Sequence, residues 1–467
     1  MENVRVLILA AGKGTRMKSK SAKVLHQVGG SSLVEHVVRA ARPLSTELFV
    51  VVGHQAGKVQ ALLSEAAFID QKTQLGTGHA VMAARERFAG YRGDVLVLPG
   101  DVPLVRTRTL EELVGFHRKG QYAASILTAV VANPEGYGRI VRRSQPSAGP
   151  SAGEGEVQAI VEHRDAAPDI LKIQEINSGI YVFDAPALFE ALSKIGNVNA
   201  QSEYYLTDVI GILVSQGKKI GACTAAVADE ILGVNTRQEM AAVDKLMRRR
   251  KCEQLMAEGV SIMDPDSTFI DADVQIGADT VVHPSVQIEG RAVIAEDVTV
   301  RSFSRITNSR IGARSTILEG CVIINSTIGE DVSVGPYAHL RTDVVLADGA
   351  KVGNFVEMKK SSLGKGSKSM HLAYVGDATV GDNVNIGAGV ITVNYDGLAK
   401  HPTHIEDEAF IGSDSQLIAP IRVHKGAFVA AGSTITDDVP ADGLAIARGR
   451  QVVKEGRAPH RKKRSGE

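Results

Sequence analysis

Hydrophobic and polar positions alternate in two different ways along this chain. In residues 1–235, short apolar runs of strand length alternate with helical patterns. The predicted strands are Val4–Ala10, Glu47–Val52, Asp94–Leu98, Ala123–Val131 and Ile180–Phe183. Between the first two strands, Ser32 and Glu35 form a capping-box signature, which predicts a helix with Val34 and Val38 on its apolar side. This alternation is typical of βα units around a mostly parallel sheet, which binds ligands at the carboxyl ends of its strands.

From about residue 262 the pattern changes to a period of six. Aliphatic residues recur at six-residue intervals from Ile270 to Ile306, and with one-residue slips the rhythm continues from Ile311 to Val352. This period fits neither the helical period of about 3.6 residues nor the period of about two of an ordinary strand. It is typical of hexapeptide repeats in a parallel β-helix, where each hexad forms one short face and points its aliphatic side chain inward.

Several segments depart from these patterns. Residues 236–258 contain neither Gly nor Pro and predict one connecting helix, whose basic run 248–251 we interpret as a solvated face rather than a nucleic-acid site. The Ser, Gly and Pro-rich residues 144–156 predict a flexible surface insertion. Residues 394–403 break the hexad rhythm and predict a loop that projects from the β-helix, as functional loops often do. The basic tail, residues 456–467, is expected to be disordered and has no assigned role.

Composition narrows the class of protein. With 467 residues the chain is long enough for two or three domains, and its 53 basic and 53 acidic residues leave no net charge to attract nucleic acid or a membrane surface. Its three cysteines are far apart, without metal-type spacing, as expected in a reducing compartment. No apolar run approaches the roughly 20 residues of a membrane-spanning helix. We therefore expect a cytoplasmic protein that binds neither nucleic acid nor membranes.

The stretch LILAAGKGTRM, residues 7–17, has the composition of a phosphate-binding loop. It follows a predicted strand, its small residues let backbone N–H groups approach an anion, and its basic residues supply positive charge. It does not fit the P-loop pattern because Gly12-Lys13 is followed by Gly14, and it does not fit the dinucleotide fingerprint because position 17 is Met. On this stretch alone, a strand-to-helix turn with chance basic residues stays an open alternative.

A larger set of motifs, in a fixed order, resembles one family. The first half contains LAAGKGTRM, AKVLH, QLGTGHA, GDVPL, GYGRI, IVEH, EINSGIY and GVN; the second adds GNFVEMKK, GKGSK, NIGAGVITVNYDG and IGSDSQLIAP. Together they resemble the bifunctional N-acetylglucosamine-1-phosphate uridyltransferases / glucosamine-1-phosphate acetyltransferases, over about residues 4–455. Many sugar-nucleotide pyrophosphorylases share the first set, whereas the combination of NFVEMKK with NYDG is much more specific.

The resemblance implies a fold and two reactions. Residues 1–235 would form a Rossmann-like α/β uridyltransferase domain, 236–258 a linker helix, and 259–467 a left-handed parallel β-helix acetyltransferase domain in a homotrimer with acetyl sites between chains. The left hand comes from the resemblance alone, since crossovers are usually right-handed. The enzyme would acetylate glucosamine-1-phosphate with acetyl-CoA, then couple N-acetylglucosamine-1-phosphate to UTP, giving UDP-N-acetylglucosamine and pyrophosphate.

The resemblance also assigns the uridyltransferase site. The residues matched to nucleotide and UDP-sugar binding are Leu9, Ala10, Ala11, Gly12, Arg16, Lys23, Gln71, Gly76, Thr77, Pro99, Gly100, Asp101, Gly138, Glu162, Asn177 and Asn235. Of these, Asp101 and Asn235 match the protein ligands of Mg²⁺, a hard cation that takes oxygen ligands and keeps waters and substrate phosphates. By itself Gly-Asp-x-Pro is more often a turn.

The groups within this set have different expected tasks. The loop backbone from Leu9 to Gly12 and the cations Arg16 and Lys23 would hold the triphosphate; the residues from Gln71 to Thr77 would recognise uracil, and those from Gly138 to Asn177 the sugar. Two positions depart from the family pattern. Pro99 stands where a tyrosine is common, and Ala22 stands where a proline usually precedes the lysine, which we expect to loosen that loop.

The acetyltransferase site is assigned in the same way. His371 matches the catalytic base, since a histidine can accept the proton of a substrate amine near neutral pH. The residues matched to the sugar phosphate are Arg341, Lys359, Tyr374 and Asn385. Those matched to acetyl-CoA are Ala388, Asn394, Tyr395, Ser413, Ala431 and Arg448. Taken alone, His371 is more often a surface or packing residue, and each small residue suits a β-helix corner. Thr342-Asp343 replaces a common Pro-Gly, which leaves the Arg341 loop geometry open.

Two other classes of function compete with this interpretation. In one, the chain is a monofunctional sugar-nucleotide pyrophosphorylase whose β-helix only oligomerises; the motifs HLAY, NIGAG and NYDG argue against it, because a structural coil does not need them. In the other, it is a regulatory scaffold, like the initiation-factor subunits that keep a pyrophosphorylase-like half. The presence of Lys23, Asp101 and Asn235 argues against that alternative.

Overall fold

The computed structural model describes residues 3–143 and 155–455. The predicted insertion 144–156 lies outside the described residues apart from its last two, and the tail 456–467 lies wholly outside them. The chain divides into two compact units between Arg248 and Arg249, inside the connecting helix. Among the helices of the described ranges, none combines the length and apolar composition that crossing a bilayer requires.

The first unit is built on a mostly parallel sheet with helices around it. Its strands are β1 (Val4–Leu9), β2 (Gln27–Val28), β3 (Ser31–Ser32), β4 (Leu48–Val52), β5 (Ala67–Asp70), β6 (Asp94–Pro99), β7 (Ala124–Val130), β8 (Arg139–Arg142), β9 (Val157–Val161), β10 (Glu175–Asp184) and β11 (Ile220–Thr224). Its helices are α1 (Leu33–Ala41), α2 (Ala56–Leu62), α3 (Thr77–Met82), α4 (Thr107–Gly120), α5 (Pro168–Leu171), α6 (Ala185–Leu192) and α7 (Asp208–Ser215), followed by the connecting helix α8 (Arg237–Ala257).

The order of the strands brings six carboxyl ends to one edge, because β7 and β11 run in the same direction as β6, β1, β4 and β5. The main path is β11-β7-β10-β6-β1-β4-β5, with β8 and β9 attached through β10, and β10 runs antiparallel to β6 and β7. Strands β6, β1, β4 and β5 are mutually parallel. The loops that follow these strands therefore meet at a single edge, as the βα alternation predicts.

Local sequence signals explain the first and the last helix. At α1 the Ser32 hydroxyl accepts from the Glu35 backbone N–H at 3.3 Å, and the Glu35 carboxylate accepts from the Ser32 N–H at 2.7 Å. The predicted capping box is thus present. In α8, Arg248 pairs with Asp244 and Arg249 with Glu253, each at 2.9 Å. Both are i,i+4 pairs. The Arg249 and Glu253 side chains are 45% and 56% exposed, as expected of a solvated face, whereas the Arg248 side chain is only 17% exposed, so the predicted solvated face does not include Arg248.

The second unit is a parallel β-helix with three faces. The first face contains the strands Ser261–Ile262, Val281–Val282, Thr299–Val300, Thr316–Ile317, Ser333–Val334, Lys351–Asn354, Lys368–His371, Asn385–Ile386, Phe410–Ile411, Phe428–Val429 and Leu444–Ala445. The second contains Phe269–Ile270, Gln287–Glu289, Arg305–Thr307, Val322–Ile324, His339–Arg341, Glu357–Lys359, Tyr374–Gly376, Ile391–Val393, Gln416–Ile418 and Thr434–Ile435. The third contains Gln275–Ile276, Val293–Ile294, Arg310–Ile311, Thr327–Ile328, Val345–Leu346, Ser362–Leu363, Ala378–Val380, Thr403–Ile405 and Ile421–Val423.

The hexad residues form the core of this unit. Every aliphatic position of the six-residue rhythm from Ile270 to Val352 is buried, which confirms the prediction. The predicted loop is also confirmed, because the chain leaves the second face at Val393 and rejoins the third face at Thr403. At the corner between the first and second faces, every coil from Val282 to Thr434 has at least one residue with positive φ, and three of these residues, Phe303, Tyr337 and Phe355, carry aromatic side chains.

Candidate active sites

The phosphate-binding stretch is a loop at the carboxyl end of β1. The N–H of Ala10 still belongs to the sheet, since it donates to the Val51 carbonyl at 2.9 Å. Within the described chain, the N–H groups of residues 12–14 have no hydrogen-bond partner. Gly14 has φ of 65°, and a Cβ there would lie 2.5 Å from the Cβ of Lys23, so both its conformation and its space require glycine. The loop thus presents free backbone donors next to a lysine, as an anion-binding loop needs.

Four of the predicted residues meet directly beside this loop. Lys23 forms an ion pair with Asp101, and its ammonium also donates to Asn235 Oδ1 at 3.0 Å. The Arg16 guanidinium donates to the same Asn235 oxygen at 2.8 Å. Residues separated by more than 200 positions in sequence are therefore brought together at the strand ends.

Asn235 is held by the start of α8. Its backbone N–H donates to the Glu239 carboxylate at 2.6 Å, and the N–H of Thr236 donates to the same oxygen at 3.0 Å. The N–H of Val234 donates to the backbone carbonyl of Asp101 at 2.9 Å, which ties the two loops together. Glu239 and Val234 thus fix the amide beside the carboxylate, although the sequence analysis assigned neither a role.

The donor set fits the predicted magnesium ion in its chemistry. One carboxylate oxygen, of Asp101, and one amide oxygen, of Asn235, converge on a single cation, which here is the ammonium of Lys23. Within the described residues, no cluster of three or more His, Cys, Asp or Glu could hold a metal by itself. Two oxygens suit Mg²⁺ because this ion usually takes its remaining ligands from water and phosphate.

The two departures from the family pattern have local explanations. The N–H that Ala22 carries, and that a proline would lack, donates to the Gln55 side chain at 3.0 Å, while Gln55 donates back to the Lys20 carbonyl at 2.7 Å. Gln55 thus makes a contact with this loop that a proline at position 22 would not allow, and the expected loosening stays a prediction. Pro99 ends β6 with its ring against Gly179, where a Cβ would lie 3.0 Å from the proline Cγ.

The residues matched to uracil recognition lie just after β5. Gln71 is buried, and its amide donates to the Gly76 carbonyl at 3.2 Å and contacts His79 Nδ1 at 3.0 Å. Gly76 has φ of 108°, and a Cβ there would lie 2.6 Å from the Tyr204 carbonyl. The hydroxyl of Thr77 accepts from the Leu206 N–H at 3.1 Å. The structure brings this predicted group together.

The residues matched to the sugar also cluster. A Cβ on Gly138 would lie 3.5 Å from the Cβ of Asn177 and 3.6 Å from a carboxylate oxygen of Glu162, so the site has little room for a larger residue. Burial raises the pKa of Glu162, although a hydrogen bond from Thr207 partly offsets this. The Asn177 amide donates to the Tyr181 hydroxyl at 2.8 Å. A carboxyl and an amide thus face a small, fixed space.

Residues from the phosphate, metal and sugar groups share one cleft of about 660 Å³. It is lined by Gly12, Gly14, Thr15, Arg16, Lys23, Glu135, Gly136, Glu162, His163, Arg164, Gln201 and Asn235. The size lies within the usual range for a small-molecule site. The first unit therefore has one polar cleft at the carboxyl ends of its parallel strands.

In the second unit, three of the residues matched to the sugar phosphate lie on the second face. Arg341 is in register with Lys359 on the next coil, and Tyr374 is on the coil after that. The Arg341 guanidinium donates to the Glu357 carboxylate at 2.7 Å. Asn385 differs, because it lies on the first face in register with Lys368. Within one chain, therefore, the structure does not place Asn385 on the face of the other three.

His371 lies at the end of a first-face strand. Its Nδ1 is 2.7 Å from the Oδ1 of Asn354, which is in register with it on the preceding coil. Because a carbonyl oxygen only accepts, Nδ1 carries the proton in a neutral imidazole and Nε2 keeps its lone pair. The side chain is exposed. The geometry therefore leaves Nε2 available as a base.

The projecting loop returns to the second face. The Asn394 amide donates to the Asp377 carboxylate at 2.5 Å and reaches the Tyr374 hydroxyl at 3.5 Å. Lys400, which the sequence analysis did not assign, lies beside Lys359, and this neighbouring cation lowers the pKa of Lys359. The loop thus adds a second ammonium next to the group matched to the sugar phosphate.

Residues matched to acetyl-CoA form a column along one corner. The Asp414 N–H donates to the Ala388 carbonyl at 2.7 Å, and the Gly432 N–H to the Ser413 carbonyl at 2.8 Å. At the top, the Arg448 guanidinium donates to the Ala431 carbonyl at 2.6 Å. Backbone bonds between successive coils thus align the small residues, and Arg448 places a cation at the end of the column. Asn394 and Tyr395 are not in the column but in the projecting loop.

Comparisons with known proteins match both halves. A family model described as the MobA-like NTP transferase domain matches residues 6–174, the GMPPB C-terminal domain matches 253–347, and the hexapeptide repeat of succinyl-transferase matches 402–437. The bifunctional protein GlmU of Geobacillus sp. (strain WCH70) is 52% identical over 453 residues, or 96% of each chain. The bifunctional protein GlmU of Halalkalibacterium halodurans is 47% identical over 97% of this chain and 98% of its own.

The chain belongs to the GlmU family. The resemblance found in the sequence motifs is confirmed, and so is the function: the chain is a bifunctional transferase with uridyltransferase and acetyltransferase activities. The fold class is confirmed as well, a Rossmann-like nucleotidyltransferase domain followed by a left-handed parallel β-helix.

A solved structure is also similar, the crystal structure of a UDP-glucose pyrophosphorylase complexed with UDP-glucose. It is 18% identical, covers 53% of this chain and 98% of its own, and has a TM-score of 0.43, a likeness too low to support an inference.

Membership of the GlmU family gives context to the residues that sequence analysis missed. Asn354 lies inside the motif GNFVEMKK, and Lys400 lies in the loop that begins with NYDG. A signal was present for Asn354, since it precedes His371 by 17 residues, about one coil of the solenoid. Gln55 carries no such signal, because only the folded chain brings it to Ala22. Glu239 carries a local one, since Thr236 and Glu239 have the spacing of a capping box, and the Glu239 N–H donates to the Thr236 hydroxyl at 3.1 Å.

Proposed function

We propose that this member of the GlmU family transfers acetyl from acetyl-CoA to glucosamine-1-phosphate in its second unit and couples N-acetylglucosamine-1-phosphate to UTP in its first. The observation that carries the proposal is that each unit separately gathers its own set of matched residues: Lys23, Asp101 and Asn235 at the strand ends of one, and Arg341, Lys359 and Tyr374 on one face of the other. The product would be UDP-N-acetylglucosamine.

Uridyltransfer in this site needs alignment and charge neutralisation more than a general base. The sugar phosphate is already an anionic nucleophile, and one of its oxygens forms a bond to the α-phosphorus of UTP while the bond to pyrophosphate breaks. The free N–H groups of residues 12–14 and the guanidinium of Arg16 would bind the triphosphate. Gly138, Glu162 and Asn177 would position the sugar.

Magnesium is the proposed cofactor of this reaction. Asp101 and Asn235 would hold it, and the bound ion would neutralise phosphate charge and the pyrophosphate leaving group. The support is the convergence of their two oxygens on one cation position. The protein would supply these two ligands, and Glu239 would keep the second in place.

Acetyltransfer requires a neutral amine. We assign the proton acceptor to Nε2 of His371, with Asn354 orienting the ring. As the amine nitrogen attacks the thioester carbonyl, the C–N bond forms, the C–S bond breaks and the amine proton passes through His371 to the departing thiolate. Arg341, Lys359 and Tyr374 would hold the sugar phosphate.

We also propose that the active assembly is a homotrimer with acetyl sites between chains. Two observations support assembly. Asn385 lies on a different face from Arg341 and Lys359 of the same chain, so a second chain could complete the set. In addition, Phe303, Tyr337 and Phe355 stand exposed along one corner, where Tyr337 and Phe355 stack on each other, and this aromatic edge is a surface that a second chain could cover. Cytoplasmic location stays a prediction, supported by three free cysteines.

One coupled assay tests the proposal. Purified protein is incubated with glucosamine-1-phosphate, acetyl-CoA, UTP and Mg²⁺, and both free thiol and UDP-sugar are followed. We expect both products, and UDP-sugar only when acetyl-CoA or ready-made N-acetylglucosamine-1-phosphate is present. UDP-sugar from the ready-made substrate without any acetyltransfer would favour the monofunctional alternative. Sedimentation of the same sample measures the assembly, and a stable monomer would contradict the trimer.

A further inference from the structure

The ammonium of Lys23 lies where the proposed metal site is formed. It donates to Asn235 Oδ1 at 3.0 Å and pairs with the carboxylate of Asp101. The side chains of Lys23 and Asp101 are 17% and 15% exposed, so this ion pair is largely shielded from water. The two oxygens matched to a divalent cation thus already serve a monovalent one.

We propose that Lys23 and the divalent cation compete for Asp101 and Asn235, so that metal binding displaces the lysine. The inference rests on the metal site of the proposed function and adds an exchange to it. An ammonium and a divalent cation cannot both bind this pair of oxygens, because like charges at such short separation repel strongly in a partly buried site. One must leave when the other arrives.

The surroundings of Lys23 let its end move while its stem stays fixed. A Cβ on Gly14 would lie 2.5 Å from the Cβ of Lys23, so the phosphate loop rests on the base of the side chain. The preceding residue, Ala22, is anchored to Gln55 through its N–H. Beyond Cβ, a lysine is a flexible stem with a compact charge. The ammonium can therefore swing from the carboxylate toward an anion in the loop without a change in the backbone.

The exchange gives Lys23 two partners in succession. In the free enzyme it neutralises Asp101, which avoids a partly buried carboxylate without a counter-charge. When nucleotide phosphates occupy the loop beside Gly14, they offer a second anion to the ammonium of Lys23 and to the guanidinium of Arg16, which also donates to Asn235, and so release both oxygens for the metal. Nucleotide and metal binding would then reinforce each other, since each shifts Lys23 in the same direction.

Direct metal binding tests this without any turnover. Mn²⁺ is titrated into the nucleotide-free, full-length protein, and free Mn²⁺ is measured by its electron paramagnetic resonance signal. Wild type is compared with Lys23→Met and with Lys13→Met, a matched control that removes one exposed positive charge from the same loop. We expect Lys23→Met to bind Mn²⁺ about tenfold more tightly, equivalent to about 1.4 kcal/mol, and Lys13→Met to change affinity less than about twofold, because exposed charges are screened.

The outcomes separate the exchange from the metal site itself. If Lys23→Met binds Mn²⁺ no more tightly than wild type, if neither protein binds it, or if Lys13→Met gains as much, the exchange is wrong. Adding Asp101→Asn to Lys23→Met should abolish the gain. If tight binding survives in that double variant, the metal lies elsewhere and the proposed cofactor site fails. If Asp101→Asn weakens Mn²⁺ binding in the wild-type background while Lys23→Met has no effect, the metal site stands and only the exchange fails. Thermal unfolding confirms that every variant is folded.

Discussion

Replacing Asn354 by alanine should slow acetyltransfer through its effect on His371. Asn354 has no matched role in substrate binding, but its Oδ1 lies 2.7 Å from His371 Nδ1. This bond fixes both the ring orientation and the tautomer that leaves Nε2 unprotonated. A neutral hydrogen bond contributes about 0.5–1.5 kcal/mol, so we expect the catalytic rate to fall about twofold to tenfold. His371→Ala, which removes the base, should cost about a hundredfold to ten-thousandfold.

The assay follows free coenzyme A from glucosamine-1-phosphate and acetyl-CoA, with uridyltransfer by the same sample as the internal control. In the His371→Ala background, Asn354→Ala should have no further effect, because the two residues act as one unit. Asn354→Asp should behave differently. A carboxylate raises the pKa of a neighbouring histidine, so the base is more protonated at pH 7, and activity should recover as the pH rises.

Three results would refute this account. One is an unchanged rate in Asn354→Ala; another is a loss that adds in full to that of His371→Ala. The third is a pH profile of Asn354→Asp that coincides with the wild type. Any of them would show that Asn354 supports the coil and not the base.

Three further predictions concern other parts of the molecule. Asp101→Ala should reduce uridyltransfer more than about a thousandfold and leave acetyltransfer near normal; near-normal UDP-sugar formation by the folded variant would place the metal elsewhere. Burial raises the pKa of the Glu162 carboxyl group in the folded protein. This group therefore contributes less to the free energy of unfolding as the pH rises above the ordinary pKa of a glutamate. Glu162→Gln should therefore weaken sugar binding yet raise Tm by about 2–4 °C, more at pH 8 than at pH 5, and an equal gain at both pH values would contradict this. Thr342 has φ of 58°, so Thr342→Gly should add about 1 kcal/mol of stability; an unchanged urea midpoint would show that the turn is unstrained.

The sequence could predict what local periodicity encodes. The hexads from Ile270 onward, the capped helix at Ser32 and the loop after Val393 are confirmed because each depends on residues close together in the chain. Contacts between residues one coil apart could also be predicted from the sequence, as the 17-residue spacing from Asn354 to His371 shows.

Long-range contacts were not accessible from physical pattern alone. Lys23 meets Asp101 and Asn235 across 78 and 212 residues, and only the family resemblance pointed to that meeting. The resemblance to the family pattern did not reveal the contact that Ala22 makes. The missing proline suggested a looser loop, but the N–H that alanine retains is the group that Gln55 binds. A departure from a family pattern thus has a consequence that depends on its neighbours in space.

The column from Ala388 to Arg448 has a consequence for how such a site can change. Each coil repeats the one before it, displaced by about 4.8 Å along the axis. The length of the column can therefore change only by whole coils. The corners absorb extra residues, as the long excursion after Val393 shows, while the inner ladder keeps its register. Adding or removing one complete coil before Lys351 would slide His371 and everything beyond it along the axis as a rigid block. The distance from the start of the β-helix to the acetyl site can therefore change in steps of one coil, while the residues that form the site stay the same.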